Sequence, residues 1–151
     1  MPQPPASICH HNCPDKIKLK SGIDTLLVRS AFPPSTVLDP AAEQFEIVLR
    51  NANGIIYQAT LQPGDLVQVA HTFRFKDKGA RRGQGIRGGL SQVLIAPVTG
   101  GTGTRVNVEA WGDLDAATEA EMTLEITVGD DATEVTSTWE KRAFGWLRTH
   151  R

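Results

Sequence analysis

The sequence has no long apolar run and no excess of charge of one sign, and residues 1–14 do not predict a signal peptide. No stretch approaches the roughly 18 apolar residues of a membrane-spanning helix, so no membrane span is predicted. The 16 Lys and Arg residues face 17 Asp and Glu residues, giving a formal net charge of −1. That balance argues against a protein that binds nucleic acid or a membrane surface through bulk charge.

Recognisable catalytic motifs are also missing. The chain contains neither the phosphate-binding pattern G-x-x-x-x-G-K-[ST] nor the nucleophile pattern G-x-S-x-G. The hydroxyl side chains fall mainly on the polar positions of alternating segments, and no pair of carboxylates stands out for general acid–base chemistry. We therefore expect a protein that is not an enzyme.

Short segments in which apolar and polar residues alternate dominate the chain from residue 15 onward. Examples are residues 45–50, 106–110 and 122–128, and turn residues such as Asn53-Gly54 and Gly129-Asp130 separate such segments. Alternation with a period of two buries one face of a strand and is typical of antiparallel sheets. Asn53-Gly54 predicts a type I′ hairpin turn, since both central positions of that turn need a positive φ.

This pattern predicts an all-β protein, a single antiparallel immunoglobulin-like β-sandwich of seven to nine strands. Residues 15–140 would form the sandwich, after an irregular leader at residues 1–14 that holds four prolines, and a C-terminal tail would occupy residues 141–151. The predicted core residues are Phe45, Ile47, Leu49, Tyr57, Phe73, Phe75, Val106, Val108, Leu124, Ile126 and Val135.

Three stretches carry a resemblance: LDPAAEQFEIVLRNANGIIYQATLQPGDL at residues 38–66, HTFRFKDKG at 71–79 and MTLEITVGDDATEVT at 122–136. Their order and turns resemble the β-sandwich repeats of long secreted bacterial proteins. The resemblance implies an extracellular or periplasmic structural or adhesive module. Such a module would act through protein–protein contacts in a larger bacterial assembly, with another protein or a second copy as its partner. The resemblance supplies no catalytic residues.

The leader holds the one concentration of soft metal ligands in the sequence: Cys9, His10, His11 and Cys13. The two cysteines have the spacing of half a zinc site, but no second pair follows. Three interpretations stay open. They are a Cys9–Cys13 disulfide in an oxidising compartment, two free thiols, and a transition-metal site completed by a partner chain.

A basic segment at residues 73–89 is the candidate for binding a polyanion. Arginine forks in a glycine-rich loop can grip phosphate or sulfate oxygens, although a solvated loop explains the same composition. Phe73 and Phe75 fall on the buried face, which leaves no aromatic side chain to stack on bases and disfavours nucleic acid. The candidate residues are Arg74, Lys76, Lys78, Arg81, Arg82 and Arg87.

Two acidic turns are candidates for calcium, the one cofactor that the sequence suggests. They contain Asp113 with Asp115 and Asp130 with Asp131. Calcium takes six to eight oxygen ligands, and such turns can supply some of them. Asp is also an ordinary turn residue, which explains both sites without an ion.

Aromatic residues give the last two candidate sites. Carbohydrate binding through Trp111, Trp139 and Trp146 is a further possibility, although Trp111 and Trp139 also fit packed positions. In the tail, Phe144, Trp146 and Leu147 either anchor a partner protein or fold back to cap the sandwich.

Overall fold

The computed structural model describes residues 14–20, 22–98 and 103–149. The candidate ligands Cys9, His10, His11 and Cys13, and the disulfide predicted between the two cysteines, lie outside the described residues. Within the described ranges the chain forms β-strands and one short 3₁₀-helix, Lys78–Arg82. The strands are β1 Asp15–Lys18, β2 Asp24–Phe32, β3 Phe45–Asn51, β4 Gly54–Leu61, β5 Val67–Val69, β6 Thr72–Lys76, β7 Leu90–Pro97, β8 Thr104–Gly112, β9 Glu121–Val128, β10 Asp131–Thr138, β11 Glu140–Arg142 and β12 Gly145–Arg148.

The strands form two antiparallel sheets that pack face to face. The larger sheet has eight strands in the order β11-β12-β1-β2-β8-β7-β6-β5, and the smaller has four in the order β10-β9-β3-β4. The prediction of an all-β antiparallel sandwich is confirmed. The predicted number of seven to nine strands is wrong, because short strands at the sheet edges raise the number to twelve.

Two of the additional strands come from the segment predicted as a tail. Strand β12 pairs with β1 and places Trp146 opposite Ile17, and β11 then pairs with β12. The Trp146 ring is buried, and its Nε1 donates a hydrogen bond of 2.8 Å to the carbonyl oxygen of Ala117. Burial of this large side chain explains why the chain returns to the sheet after β10.

The core lies between the two sheets and follows the predicted alternation. All of the predicted core residues are buried except Phe73 and Val135, which pack against the core while partly exposed. Phe73 lies on β6, next to the edge strand β5, and Val135 lies on the edge strand β10. Side chains near the edge of a sheet have fewer neighbours to cover them, which accounts for their exposure.

The hairpin between β3 and β4 forms, but its turn differs from the predicted type I′ turn. Asn51 pairs with Gly54, so the two loop residues are Ala52 and Asn53. Gly54 has a φ of +133°, but Asn53 does not have the positive φ that a type I′ turn would need. Among the described residues other than glycine, only Ala70 has a positive φ. The Asn51 Oδ1 atom accepts a hydrogen bond of 2.9 Å from the Asn53 N–H and stabilises the turn instead.

Candidate interaction surface

The outer side of the eight-stranded sheet, away from the core, carries a surface that strand register assembles from distant parts of the chain. One row of paired residues crosses five strands and consists of Lys16, Leu27, Glu109, Gln92 and Lys76. The adjacent row contains Arg29, Asn107, Leu94, Arg74 and Val67. Side chains in such rows lie on one side of the sheet, because residues that pair across strands share a face.

Cations dominate this surface. Its two acidic residues, Glu109 and Glu140, are already engaged by Arg81 and Arg142, at 3.1 and 3.0 Å. We call this surface the basic face and define it by Lys16, Lys18, Arg29, Arg74, Lys76 and Arg105. None of these six cations forms an ion pair with any residue that the structure describes.

At the centre of the basic face, several polar atoms are covered by their neighbours yet lack a hydrogen-bond partner. They include Arg29 Nε, Arg105 Nε and Asn107 Oδ1, which have no partner within the described ranges. Arg29 lies directly opposite Asn107, and Arg105 lies two residues before Asn107 on β8. A covered polar atom without a partner costs about 1–3 kcal/mol. The polar groups at the centre of the basic face are therefore incompletely satisfied by their neighbours.

The basic segment predicted to bind a polyanion is divided by the fold. Lys76, Lys78, Arg81 and Arg82 line a cleft of about 290 Å³ beside the 3₁₀-helix, together with Asp77, Ser91 and Gln92. Asp77 shapes this loop, since its carboxylate accepts hydrogen bonds from the N–H groups of Gly79 and Ile86, at 3.0 and 2.9 Å. The cleft adjoins the basic face through Lys76 and Gln92.

Two of the predicted polyanion-binding residues lie outside the cleft. Arg74 lies on the basic face, two residues along β6 from Lys76. Arg87 instead forms a two-pronged ion pair with Asp65, at 2.6 and 3.2 Å. This pairing lowers the pKa of the Asp65 carboxyl and raises the pKa of the Arg87 guanidinium. Arg87 stabilises the loop and is not available to the cleft.

The three tryptophans do not share an exposed surface. Trp139 and Trp146 are buried in the core. Trp111 is partly exposed, and its ring contacts Lys20 Nζ at 5.8 Å and the Arg81 guanidinium at 6.0 Å, both distances measured to the ring centroid. These are cation–π distances, so the face of Trp111 is already occupied by cations.

The acidic turns predicted to bind calcium lie apart. Asp113 and Asp115 precede the start of β9, and Asp130 with Asp131 follows its end. Carboxylate oxygens of Asp113 and Asp115 instead lie within 4.8 Å of one from the buried Asp24. The nearby charges of Asp113 and Asp24 raise the pKa of Asp115. Calcium binding stays a prediction.

Both oxygens of Asp24 already have partners. Oδ1 accepts a hydrogen bond of 2.8 Å from the N–H of Lys20, and Oδ2 accepts one of 2.8 Å from the N–H of Leu114. Asp24 thus ties the segment before β2 to the loop after β8. These bonds give the carboxylate a structural role that needs no ion.

The candidate anchor residues of the tail have three different environments. Trp146 is buried, as expected if the tail folds back, and Lys141 Nζ lies 4.8 Å from the centroid of its ring. Leu147 is partly exposed on the outer side of the sheet, opposite Lys16. Phe144 is 38% exposed in the turn between β11 and β12. Only Phe144 and Leu147 are available to contact a partner.

The outer side of the four-stranded sheet has the opposite charge. We call it the acidic face and define it by Glu46, Glu121, Glu125 and Glu134, which alternate with core residues along β3, β9 and β10. Arg50, on the same side, pairs with Glu134 at 2.7 Å. That pairing lowers the pKa of Glu134 and keeps its carboxyl charged.

No protein-family model, curated protein or solved structure matches the chain. In the described part of the chain, no helix is long and apolar enough to cross a membrane. Sequence reasoning missed Arg29, Arg105 and Asn107 as site residues. The sequence places these residues at polar positions of two alternating segments. It does not show that the two segments are neighbours, which follows only from the position of β2 beside β8 in the sheet.

Proposed function

We propose that the protein is a non-enzymatic interaction module that binds an acidic protein surface through its basic face. The observation that carries this proposal is that none of the six cations of the basic face, with Arg29 and Arg105 at its centre, forms an ion pair with any residue that the structure describes. A carboxylate can accept from both arginines, and such charge-assisted bonds are stronger than neutral ones. An extracellular or periplasmic place in a larger bacterial assembly remains part of this proposal.

Apolar side chains among the cations favour a protein as the partner. Leu27 and Leu94 lie in the same rows as the cations and are only partly covered. Protein interfaces combine such apolar contacts with arginine, whereas single-stranded nucleic acid needs free aromatic rings for stacking. The one tryptophan near this surface, Trp111, already contacts Lys20 and Arg81.

Binding to poly-L-glutamate tests the proposal, with R29Q/R105Q as the variant and K78Q/R82Q as the matched control. The control removes the same number of charges from the cleft. We expect R29Q/R105Q to weaken binding at least tenfold, because two charge-assisted contacts are lost, and K78Q/R82Q to weaken it much less. Circular dichroism would establish that both variants fold.

Two outcomes would contradict this assignment. The first is poly-L-glutamate binding that is equally strong in wild type and R29Q/R105Q. The second is loss of binding in K78Q/R82Q alone, especially with tighter binding to heparin than to poly-L-glutamate. That result would favour the cleft beside the 3₁₀-helix as a general polyanion site.

A further inference from the structure

We propose that the acidic surface recognised by the basic face belongs to a second copy of this chain: the acidic face of one copy docks on the basic face of the next. This inference rests on the proposed function and names its partner. It explains why a chain with a net charge of −1 separates its charges onto two sheets.

The two faces are complementary in charge and in available hydrogen-bonding groups. The basic face offers six cations that lack ion-pair partners in the described ranges. On the acidic face, Glu125 on β9 and Glu134 on β10 lie directly opposite each other, and Glu46 lies on the adjacent strand β3. Arg50 already pairs with Glu134, whereas Glu46, Glu121 and Glu125 form no ion pair with any residue that the structure describes, so an approaching row of cations would pair with them.

The basic face and the acidic face of one molecule cannot contact each other, because they lie on opposite sides of the sandwich. The core separates the eight-stranded sheet from the four-stranded sheet, and each face points away from it. A contact between two different faces is heterologous and leaves one face free on each end. The expected product is an open stack of copies, which suits a structural module.

The size of the smaller face limits the strength of this contact. Four strands at about 4.8 Å spacing and eight residues at about 3.3 Å cover roughly 19 by 26 Å, or about 500 Å² per partner. The total of about 1,000 Å² is at the lower limit for a specific interface. Association should therefore be weak, concentration-dependent and sensitive to salt.

Sedimentation velocity on the full chain and on two neutralised variants tests the stack. R29Q/R105Q removes charge from the basic face, E46Q/E125Q removes it from the acidic face, and K78Q/R82Q again serves as the control. We expect wild type and K78Q/R82Q to form oligomers that grow with protein concentration at about 20 mM salt and dissociate at about 500 mM. Each face variant alone should stay monomeric.

The mixture of the two face variants is the decisive sample. The intact acidic face of R29Q/R105Q can dock on the intact basic face of E46Q/E125Q, and the product then has no intact face left. We expect a 1:1 dimer that does not grow further. A mixture that stays monomeric, or oligomers that persist in either variant alone, would overturn the stacking model.

The result also separates this inference from the proposed function. If wild type is monomeric at low salt but binds poly-L-glutamate through Arg29 and Arg105, the inference that the partner is a second copy is wrong and the proposed function stands. If wild type neither associates nor binds poly-L-glutamate, both are wrong.

Discussion

The two outer faces of the sandwich differ in charge and in how completely their polar groups are satisfied. On the acidic face, Thr123 and Thr136 share a hydrogen bond of 2.8 Å, and Gln58 donates to Glu46 at 3.1 Å. On the basic face, the covered atoms of Arg29 and Arg105 lack partners in the described ranges. Contacts within the acidic face satisfy part of it, including the ion pair of Glu134, whereas none of the six cations of the basic face forms an ion pair with a described residue.

This difference shows what net charge conceals. The overall value of −1 excludes a strongly charged molecule, yet each sheet has an outer surface of one dominant sign. The separation arises because alternate positions of a strand share a face, so a few residues on each strand determine its charge. Charge counts over the whole sequence are therefore a poor guide to the surfaces of a sandwich.

The largest expected effect on stability comes from Trp146→Ala, a substitution that damages the basic face and leaves the acidic face intact. Replacing Trp146 by Ala removes a buried ring and its hydrogen bond to Ala117. We expect a loss of about 3–5 kcal/mol in the free energy of unfolding, measured by urea denaturation. Since β12 pairs with β1, detachment of β12 should also weaken the part of the basic face around Lys16.

The control for Trp146→Ala is Phe144→Ala in the adjacent turn. Phe144 is 38% exposed, so its removal should cost about 1 kcal/mol or less. Equal losses in the two variants would mean that β12 does not depend on Trp146 for its place in the sheet.

The sequence predicted the layers of this fold better than its edges. Alternation placed Ile47, Val108 and Ile126 correctly in the core, because burial on one face imposes a period of two. It did not reveal that Trp146 belongs to a strand, since a segment of four residues has too few positions to show a period. Strand β12 is held by its pairing with β1, by the buried Trp146 ring and by the ion pair between Arg148 and Asp15, all contacts between distant parts of the chain.

The candidate surface was less predictable for a related reason. Arg81 and Arg87 have the same side chain and each forms an ion pair, yet Arg81 lines the cleft and pairs with Glu109, whereas Arg87 is held outside the cleft by Asp65, 22 residues earlier in the chain. Arg29 and Arg105 are far apart in sequence and reach one face only through the pairing of β2 with β8. Local patterns give the side of a strand on which a residue lies, but tertiary pairing determines its neighbours.

A smaller loss of stability should follow from removing the hydrogen bond that links the smaller sheet to the edge of the basic face. The Tyr57 hydroxyl on β4 donates a hydrogen bond of 2.8 Å to the carbonyl oxygen of Gly88. The carbonyl oxygen of the next residue, Gly89, accepts a hydrogen bond of 2.8 Å from the N–H of Trp111. Gly89 has a φ of +94°, and a Cβ there would overlap the Trp111 carbonyl. We expect Tyr57→Phe to lower the free energy of unfolding by about 1 kcal/mol.

The pH dependence of Tyr57 gives an independent measurement. Burial raises the pKa of its phenol above the ordinary value of 10.0, so the unfolded chain loses this proton first as the pH rises. The native state of wild type should therefore lose stability above pH 10, whereas Tyr57→Phe should lack this contribution. Tyr57 is the one tyrosine in the chain, so ultraviolet titration reports it alone, and an ordinary pKa would contradict its burial.

The smallest effects should distinguish two kinds of acidic site, the acidic face and the cluster around Asp115. Arg50 lowers the pKa of Glu134, so this carboxylate contributes stability above its unfolded pKa and loses it as the pH falls through the folded pKa. Asp113 and Asp24 raise the pKa of Asp115. Protonated Asp115 therefore favours the native state below the unfolded pKa, and this contribution to stability is lost as the pH rises through the folded pKa.

Glu134→Gln and Asp115→Asn should therefore shift the melting temperature in opposite directions at pH 7. Glu134→Gln should lower it, because the pairing with Arg50 is lost, and Asp115→Asn should raise it, because repulsion by Asp113 and Asp24 is relieved. Both shifts should be small, since the side chains are exposed, and both should fade in acid where the native carboxyls are protonated. Shifts of the same sign would contradict the contrast between a paired and a repelling carboxylate.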